Sequence, residues 1–392
     1  MARRSQNRKL SSASVYLCLT FGLIAVIICG FICAPHAVSR TRSGRRITAH
    51  SSLSPQPTPT PATTRLGTMG QPPPVPVLSK KNEEINAGDV ISVNTSEVML
   101  PVTVRDSSGR LVADLTRENF RVFEDGREQP LTDLALRHVP VDVILMVDAS
   151  SSVAANLDDF RRAAEQFASQ LDLNDRICLI KFDDRVQLLQ DWTRSRFQLG
   201  RALSRIEPGI FTRFNDALVL AAREQFQPSS SRRAIIILSD GIDSGRGTAS
   251  AASVLQALLE AQATVYVVSN TEISRASKRA ELDSLTGGSD SMVKFNQIRI
   301  DDLREGLRVL DESEQGLAQM AAATGGRLYK PLSFNKLDEA YREVADELHR
   351  QYAIYYTPLN KARDGTFRRV RVETTRSDFK TSTRIGYYAP HR

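Results

Sequence analysis

The chain has 392 residues, 41% of them hydrophobic and 25% charged, which is ordinary for a globular protein and leaves room for two domains and a tail. Its formal net charge is +7, but residues 1–46 hold eight of the 52 basic side chains and none of the 45 acidic ones, so the rest is close to neutral. The charge therefore gives no ground for a nucleic-acid partner, and no aromatic-basic clusters of the kind that stack bases occur.

Cysteines and histidines narrow the chemistry further. Cys18, Cys29 and Cys33 lie in an N-terminal apolar run, which leaves Cys178 alone in the folded part with no internal disulfide partner. No Cys/His spacing suggests zinc. His36, His50, His138, His349 and His391 are scattered, none beside a nucleophile, which counts against a Ser-His or Cys-His hydrolase.

Residues 1–14 form a basic N-terminus with Arg3, Arg4, Arg8 and Lys9. Val15 to Ala34 follows without a charge, long enough to span a bilayer at about 1.5 Å per residue. That length, with Pro35 interrupting the obvious cleavage site, favours an uncleaved signal anchor over a cleaved signal peptide. The basic N-terminus then stays cytoplasmic and the folded part is extracytoplasmic, although Arg40, Arg42, Arg45 and Arg46 on the far side oppose this orientation. Residues 35–85 are a Pro-rich linker, with Ser54 to Pro61 and Gln71 to Pro76 extended and semi-rigid, reaching on the order of 100 Å.

From residue 90 to 138 the hydrophobic period is two. Val98, Leu100, Val102 and Val104 alternate with other residues, Asp106 to Gly109 is a turn, Asp114 to Phe120 a short helical turn, and Asp125-Gly126 a tight turn. This β module is too small to bury much core alone. Residues 141–350 alternate strand and helix, which implies an α/β fold with a doubly wound, mostly parallel sheet and one antiparallel edge strand at Val186–Leu189. Within that region Ser274 to Arg308 is expected to be a polar, solvated insertion, Gly316 to Thr324 a helix, and Asn335 the N-cap of a final helix reaching Tyr352. Residues 351–392 return to β strands, which are expected to pair with the first β module as one sandwich-like unit.

The organising stretch is Val141 to Ser152. The apolar run Val143 to Val147 ends on Asp148, and Ala149, Ser150, Ser151 and Ser152 follow. In an open α/β sheet, ligands bind just beyond the carboxyl ends of such buried strands. One carboxylate and three hydroxyls there are hard oxygen donors, suited to Mg²⁺, Mn²⁺ or Ca²⁺ rather than zinc. A second buried strand, Ala234 to Leu238, ends on Ser239, Asp240 and Gly241, and between the two lies the loop Pro208 to Leu218.

On these residues the sequence resembles the von Willebrand factor type A domain, a family that carries an Asp-x-Ser-x-Ser run, a loop Thr and an Asp after a later strand. The matching positions are Asp148, Ser150, Ser152, Thr212 and Asp240. The resemblance implies a metal-ion-dependent adhesion site, where a divalent ion is completed by an Asp or Glu of a protein partner. Segment order also resembles a bacterial family of VWFA-related proteins over about residues 90–390, through Leu115 to Phe120, Phe123 to Gly126, Tyr352 to Pro358 and Gly386 to Pro390. The expected function is a membrane-anchored binding module and not an enzyme. Three other readings remain: Asp148 and Ser152 simply cap the next helix; the chain is a Mg²⁺-dependent phosphohydrolase, although Ser150 stands where its second carboxylate would be; or it is a scaffold with an unused metal site.

Overall fold

The apolar run from Val141 to Asp148 is a strand buried along its whole length, and the architecture is built outward from it. The computed structural model describes residues 97–136, 139–151, 153, 156–226 and 229–391. The expected N-terminus, anchor and linker, with the first residues of the β module, lie outside the described residues.

In chain order, β1 (Val98–Arg105), a 3-10 turn at Arg117–Asn119, β2 (Phe120–Glu124), β3 (Arg127–Gln129) and β4 (Leu131–Leu136) come first. The α/β region then runs β5 (Val141–Asp148), α1 (Leu157–Gln170), β6 (Arg176–Phe182), β7 (Val186–Thr193), α2 (Arg196–Leu203) and α3 (Phe214–Leu220), which continues as a π-helical turn over Ala221–Gln225. It goes on through β8 (Arg232–Leu238), α4 (Ala251–Glu260), β9 (Thr264–Val268), α5 (Thr271–Thr286), α6 (Asp290–Phe295), α7 (Gln297–Ala323), β10 (Leu328–Tyr329) and α8 (Leu337–His349). The chain closes with β11 (Tyr352–Tyr356), β12 (Phe367–Thr374), β13 (Lys380–Ser382) and β14 (Gly386–Tyr388).

The central sheet has the order β10-β9-β8-β5-β6-β7. All its pairings are parallel except β6 with the edge strand β7. This is the mostly parallel α/β sheet with one antiparallel edge that the alternating pattern implies. The chain leaves β5 toward β6 on one side and returns to β8 on the other, so the strand order reverses at β5 and opens a crevice at its carboxyl end. One face of the sheet is covered through Phe160, Phe167, Leu203, Tyr341 and Val344, the other through Phe214, Leu218, Val254, Leu258 and Leu317. Covering on both faces explains why β5, β8 and β9 read as continuous apolar runs rather than alternating ones.

Two further four-stranded sheets, β13-β1-β11-β4 and β14-β12-β2-β3, enclose a third core around Leu100, Val102, Val122, Ile354 and Tyr356. β1 lies antiparallel to β11, with Leu100 opposite Ile354, and β12 lies antiparallel to β2. Glu124 is buried in this core because the hydroxyls of Tyr356 and Tyr387 each donate to its Oε2 at 2.8 Å and Arg368 faces Oε1 at 3.4 Å. The opposite face of β1 is not solvated: Thr103 is buried and donates at 3.2 Å to Glu347 of α8, which also accepts from Arg105 and from the Tyr329 hydroxyl.

Ser274 to Arg308 is largely exposed, as expected, but it is helical, belonging to α5, α6 and α7. Arg275 is buried there, held by Asp311, Glu314 and Glu272. The helix expected at Gly316 to Thr324 is the last third of α7, whose Leu303, Leu310 and Leu317 recur every seven residues on the buried side. The final helix begins after a 3-10 turn at Phe334–Lys336, with Lys336 rather than Asn335 at its N-cap, and ends at His349, so Tyr352 belongs to β11.

Candidate metal centre

Asp148 is the last residue of β5. The register pairs Val147 with Leu238 of β8, which brings Ser239 level with Asp148 across the strand ends. The Ser239 hydroxyl donates to Asp148 Oδ2 at 2.6 Å, and the Ser150 amide donates to Oδ1 at 2.9 Å. The Gly241 amide donates back to Ser239 Oγ at 2.9 Å, fixing that hydroxyl's direction. Burial, and after it the charge of Asp240, push the Asp148 carboxyl up from 3.8 to about 6 despite these hydrogen bonds.

Asp240 is buried in the turn after β8. Its Oδ1 accepts from the Ile242 amide at 3.1 Å, and its carbonyl accepts from the Ser313 hydroxyl of α7 at 2.5 Å. Gly241 turns the chain with φ +72°, and a Cβ there would meet the Leu317 side chain at 2.7 Å, so this turn is pressed onto α7.

Thr212 is buried in the loop between α2 and α3. Its amide donates to Ser244 Oγ at 2.8 Å and its carbonyl accepts from the Ser244 amide at 2.9 Å. The amides of Ile210 and Phe211 donate to the Asp184 carboxylate at 3.2 and 3.0 Å, and the Gly209 amide donates to the Ala149 carbonyl at 2.7 Å. The Thr212 loop is thereby fastened to the loop after β5, the β6–β7 turn and the loop after β8. The Ser151 hydroxyl adds another tie by donating to the Ile210 carbonyl at 3.1 Å.

The structure thus sets Asp148, Ser150, Thr212 and Asp240 on interlocked loops at the carboxyl ends of the central strands. Ser152 lies outside the described residues. The reading of Asp148 as a cap of the next helix is overturned, because α1 begins at Leu157 with Asn156 at its N-cap and the Asp148 carboxylate serves Ser150 and Ser239 instead. Asp216 pairs with Arg213 at 3.0 Å and accepts from the amides of Thr248 and Ala249 at 2.9 Å each. Asp243 accepts from the amides of Asn215 and Gly245 at 2.9 and 2.8 Å and so braces the start of α3. Sequence reasoning missed Ser239, Ser244 and Asp184. Ser239 carries a signal in its position directly after an apolar run, whereas Ser244 and Asp184 act only through loops that meet in space.

The donor set is all oxygen, with two buried carboxylates whose charges oppose each other, and it suits a hard divalent cation. The family model described as von Willebrand factor type A domain matches residues 143–242, a span that contains Asp148, Ser150, Thr212 and Asp240. The chain carries a von Willebrand factor type A domain.

No curated protein matches the chain. Among solved structures, proximal thread matrix protein 1 from the mussel byssus is similar at 15% identity and TM-score 0.41, over 58% of this chain and 51% of that one. This chain therefore spans about half the length of that protein. A conserved hypothetical protein BatB from Bacteroides thetaiotaomicron is similar at 19% identity and TM-score 0.37, over 53% of this chain and 97% of that one. A von Willebrand factor type A structure from Catenulispora acidiphila is similar at 12% identity and TM-score 0.40, over 76% of this chain and 74% of that one. Among the described residues, no helix of the type A domain or of the flanking sheets is long and apolar enough to cross a membrane.

Proposed function

We propose that this chain is a binding module. Asp148, Ser150, Ser152, Thr212 and Asp240 of its type A domain hold one hard divalent ion, Mg²⁺ or else Mn²⁺ or Ca²⁺, and an Asp or Glu of a protein partner fills the remaining position. The observation that carries the proposal is the approach of two buried carboxylates, Asp148 and Asp240, each of whose charges disfavours the other. A divalent cation reverses that sign, so the pair is costly alone and favourable when the ion is bound. Such an ion supplies a Lewis-acidic position that exchanges water for carboxylate. The protein's part is to hold the oxygens still through Ser239, Ser244 and Asp184.

The same geometry supports binding rather than catalysis. The Ser151 hydroxyl donates to a carbonyl and not to a base that could activate it. Residues 15–34 would anchor the chain in a membrane, and the Pro-rich linker would hold the folded part outside the cytoplasm.

Calorimetric titration of Mg²⁺, Mn²⁺ and Ca²⁺ into the full chain and into its Asp148→Ala variant tests the ion site. Saturable one-site binding in the parent that is lost in the variant is expected. Equal heats from the two proteins would remove the basis of the proposal.

A further inference from the structure

At the opposite end of β5 from Asp148, three side chains meet that no part of the adhesion-type site uses. Asp172 and Asp175 lie in the turn between α1 and β6, and His349 is the last residue of α8. His349 Nε2 stands 3.8 Å from Asp172 Oδ2 and 3.7 Å from Asp175 Oδ2, and one donor atom of each residue lies within 4.8 Å of the other two. These separations are too long for hydrogen bonds. Nε2 is buried without a hydrogen bond and meets the two carboxylates only as a long ion-pair contact.

The carboxylates are set as metal ligands usually are. Asp175 is buried, its Oδ1 accepts from the Val141 amide at 2.8 Å, and its Oδ2 accepts from the Asp172 amide at 3.0 Å, so its orientation is fixed from behind. Asp172 is exposed and leaves the site open on one side. The guanidinium of Arg232 gives its hydrogen bonds to the carbonyls of Val139, Leu348 and Gln351 and acts on the two carboxylates through its charge alone. The carboxyl end of α8 adds partial negative charge beside His349.

We infer that Asp172, Asp175 and His349 form a second metal site, for a zinc-class transition ion rather than for Mg²⁺. One imidazole nitrogen with two carboxylate oxygens is a donor set for zinc-like ions. With bonds of about 2.1 Å, a tetrahedral ion separates its ligands by roughly 3.4 Å, so the two spacings from His349 need to close by only a few tenths of an ångström. The bound ion would fasten the end of α8 to the start of β5, just before the chain crosses into the flanking sheets.

The test is titration of Zn²⁺ alone into the full chain carrying Asp148→Ala, which removes the oxygen site at the other end of the sheet from the measurement. One Zn²⁺ per chain is expected, with affinity at least about tenfold weaker when His349→Gln or Asp172→Asn is added. Because Asp172 is exposed, its substitution does not threaten folding, and circular dichroism checks both variants. Absence of Zn²⁺ binding in the Asp148→Ala chain, or binding unchanged by both added substitutions, overturns the inference.

Discussion

The Ser239 hydroxyl donates to Asp148 Oδ2 at 2.6 Å and joins the ends of β8 and β5 at the point where the strand order reverses. Ser239→Ala deletes that hydrogen bond and also the acceptor of the Gly241 amide. A hydrogen bond to a charged group contributes about 1.5–3 kcal/mol. Urea denaturation at about pH 8 in chelator should show a loss of that size, and divalent-ion affinity should fall with it.

Asp148 makes the metal-free protein's stability depend on pH with an unusual sign. Its carboxyl titrates at about 6 in the folded state against 3.8 ordinarily, so between those values the folded chain binds more protons than the unfolded one. Stability is therefore highest below 3.8 as far as this group is concerned, and it declines as pH rises to about 6, by on the order of 3 kcal/mol, after which the cost is constant. Asp148→Asn should flatten this slope in urea titrations across that window. An unchanged slope would mean that another group sets it.

Gly209 is confined by the aspartate beside it. A Cβ there would lie 2.5 Å from Asp183 Oδ2, and Asp183 is itself held by Lys181 at 2.5 Å, so it cannot swing away freely. Gly209→Ala should cost about 1–3 kcal/mol, the range for overpacking a filled site. It should also displace the Thr212 loop enough to weaken ion binding, read by thermal denaturation and by calorimetry.

The buried Arg275 links α5 to α7 through Asp311 and Glu314. Arg275→Leu leaves those carboxylates facing each other. Full burial would make that loss about 3–5 kcal/mol, and the exposure of Asp311 lowers the expected cost to about 2 kcal/mol. Hydrogen exchange should show the loosening concentrated in α5 and α7. A uniform change across the central sheet would contradict this reading.

The central sheet was legible in the sequence because parallel strands covered on both faces leave unbroken apolar runs, as Val143 to Val147 and Ala234 to Leu238 do. The edge strand β7 was legible as a short antiparallel partner of β6 because Asp183-Asp184 lies directly between the two. The α5–α7 helices were not, because α5 buries only Thr271 and Arg275 along its sixteen residues and presents almost no apolar stripe. The leucines of α7 repeat every seven residues, but Gly306 and Gly316 and the charges between them mask the repeat. At the candidate metal centre, residues in one local run could be read directly. Ser244 and Asp184 could not, since their meeting with the Thr212 loop depends on which strands are neighbours.

The sheets that flank the type A domain draw on both ends of the described chain. β1 cannot pair with β11 until that strand exists, about 250 residues later, and β2, although paired with β3, lacks its other neighbour until β12 does. During synthesis β1 and β4 must therefore wait for β11 while the ribosome makes the whole type A domain. A nascent chain released anywhere before β12 would expose the free edge of β2 and the apolar face of β1, which makes premature termination a route to aggregation rather than to a shorter working protein.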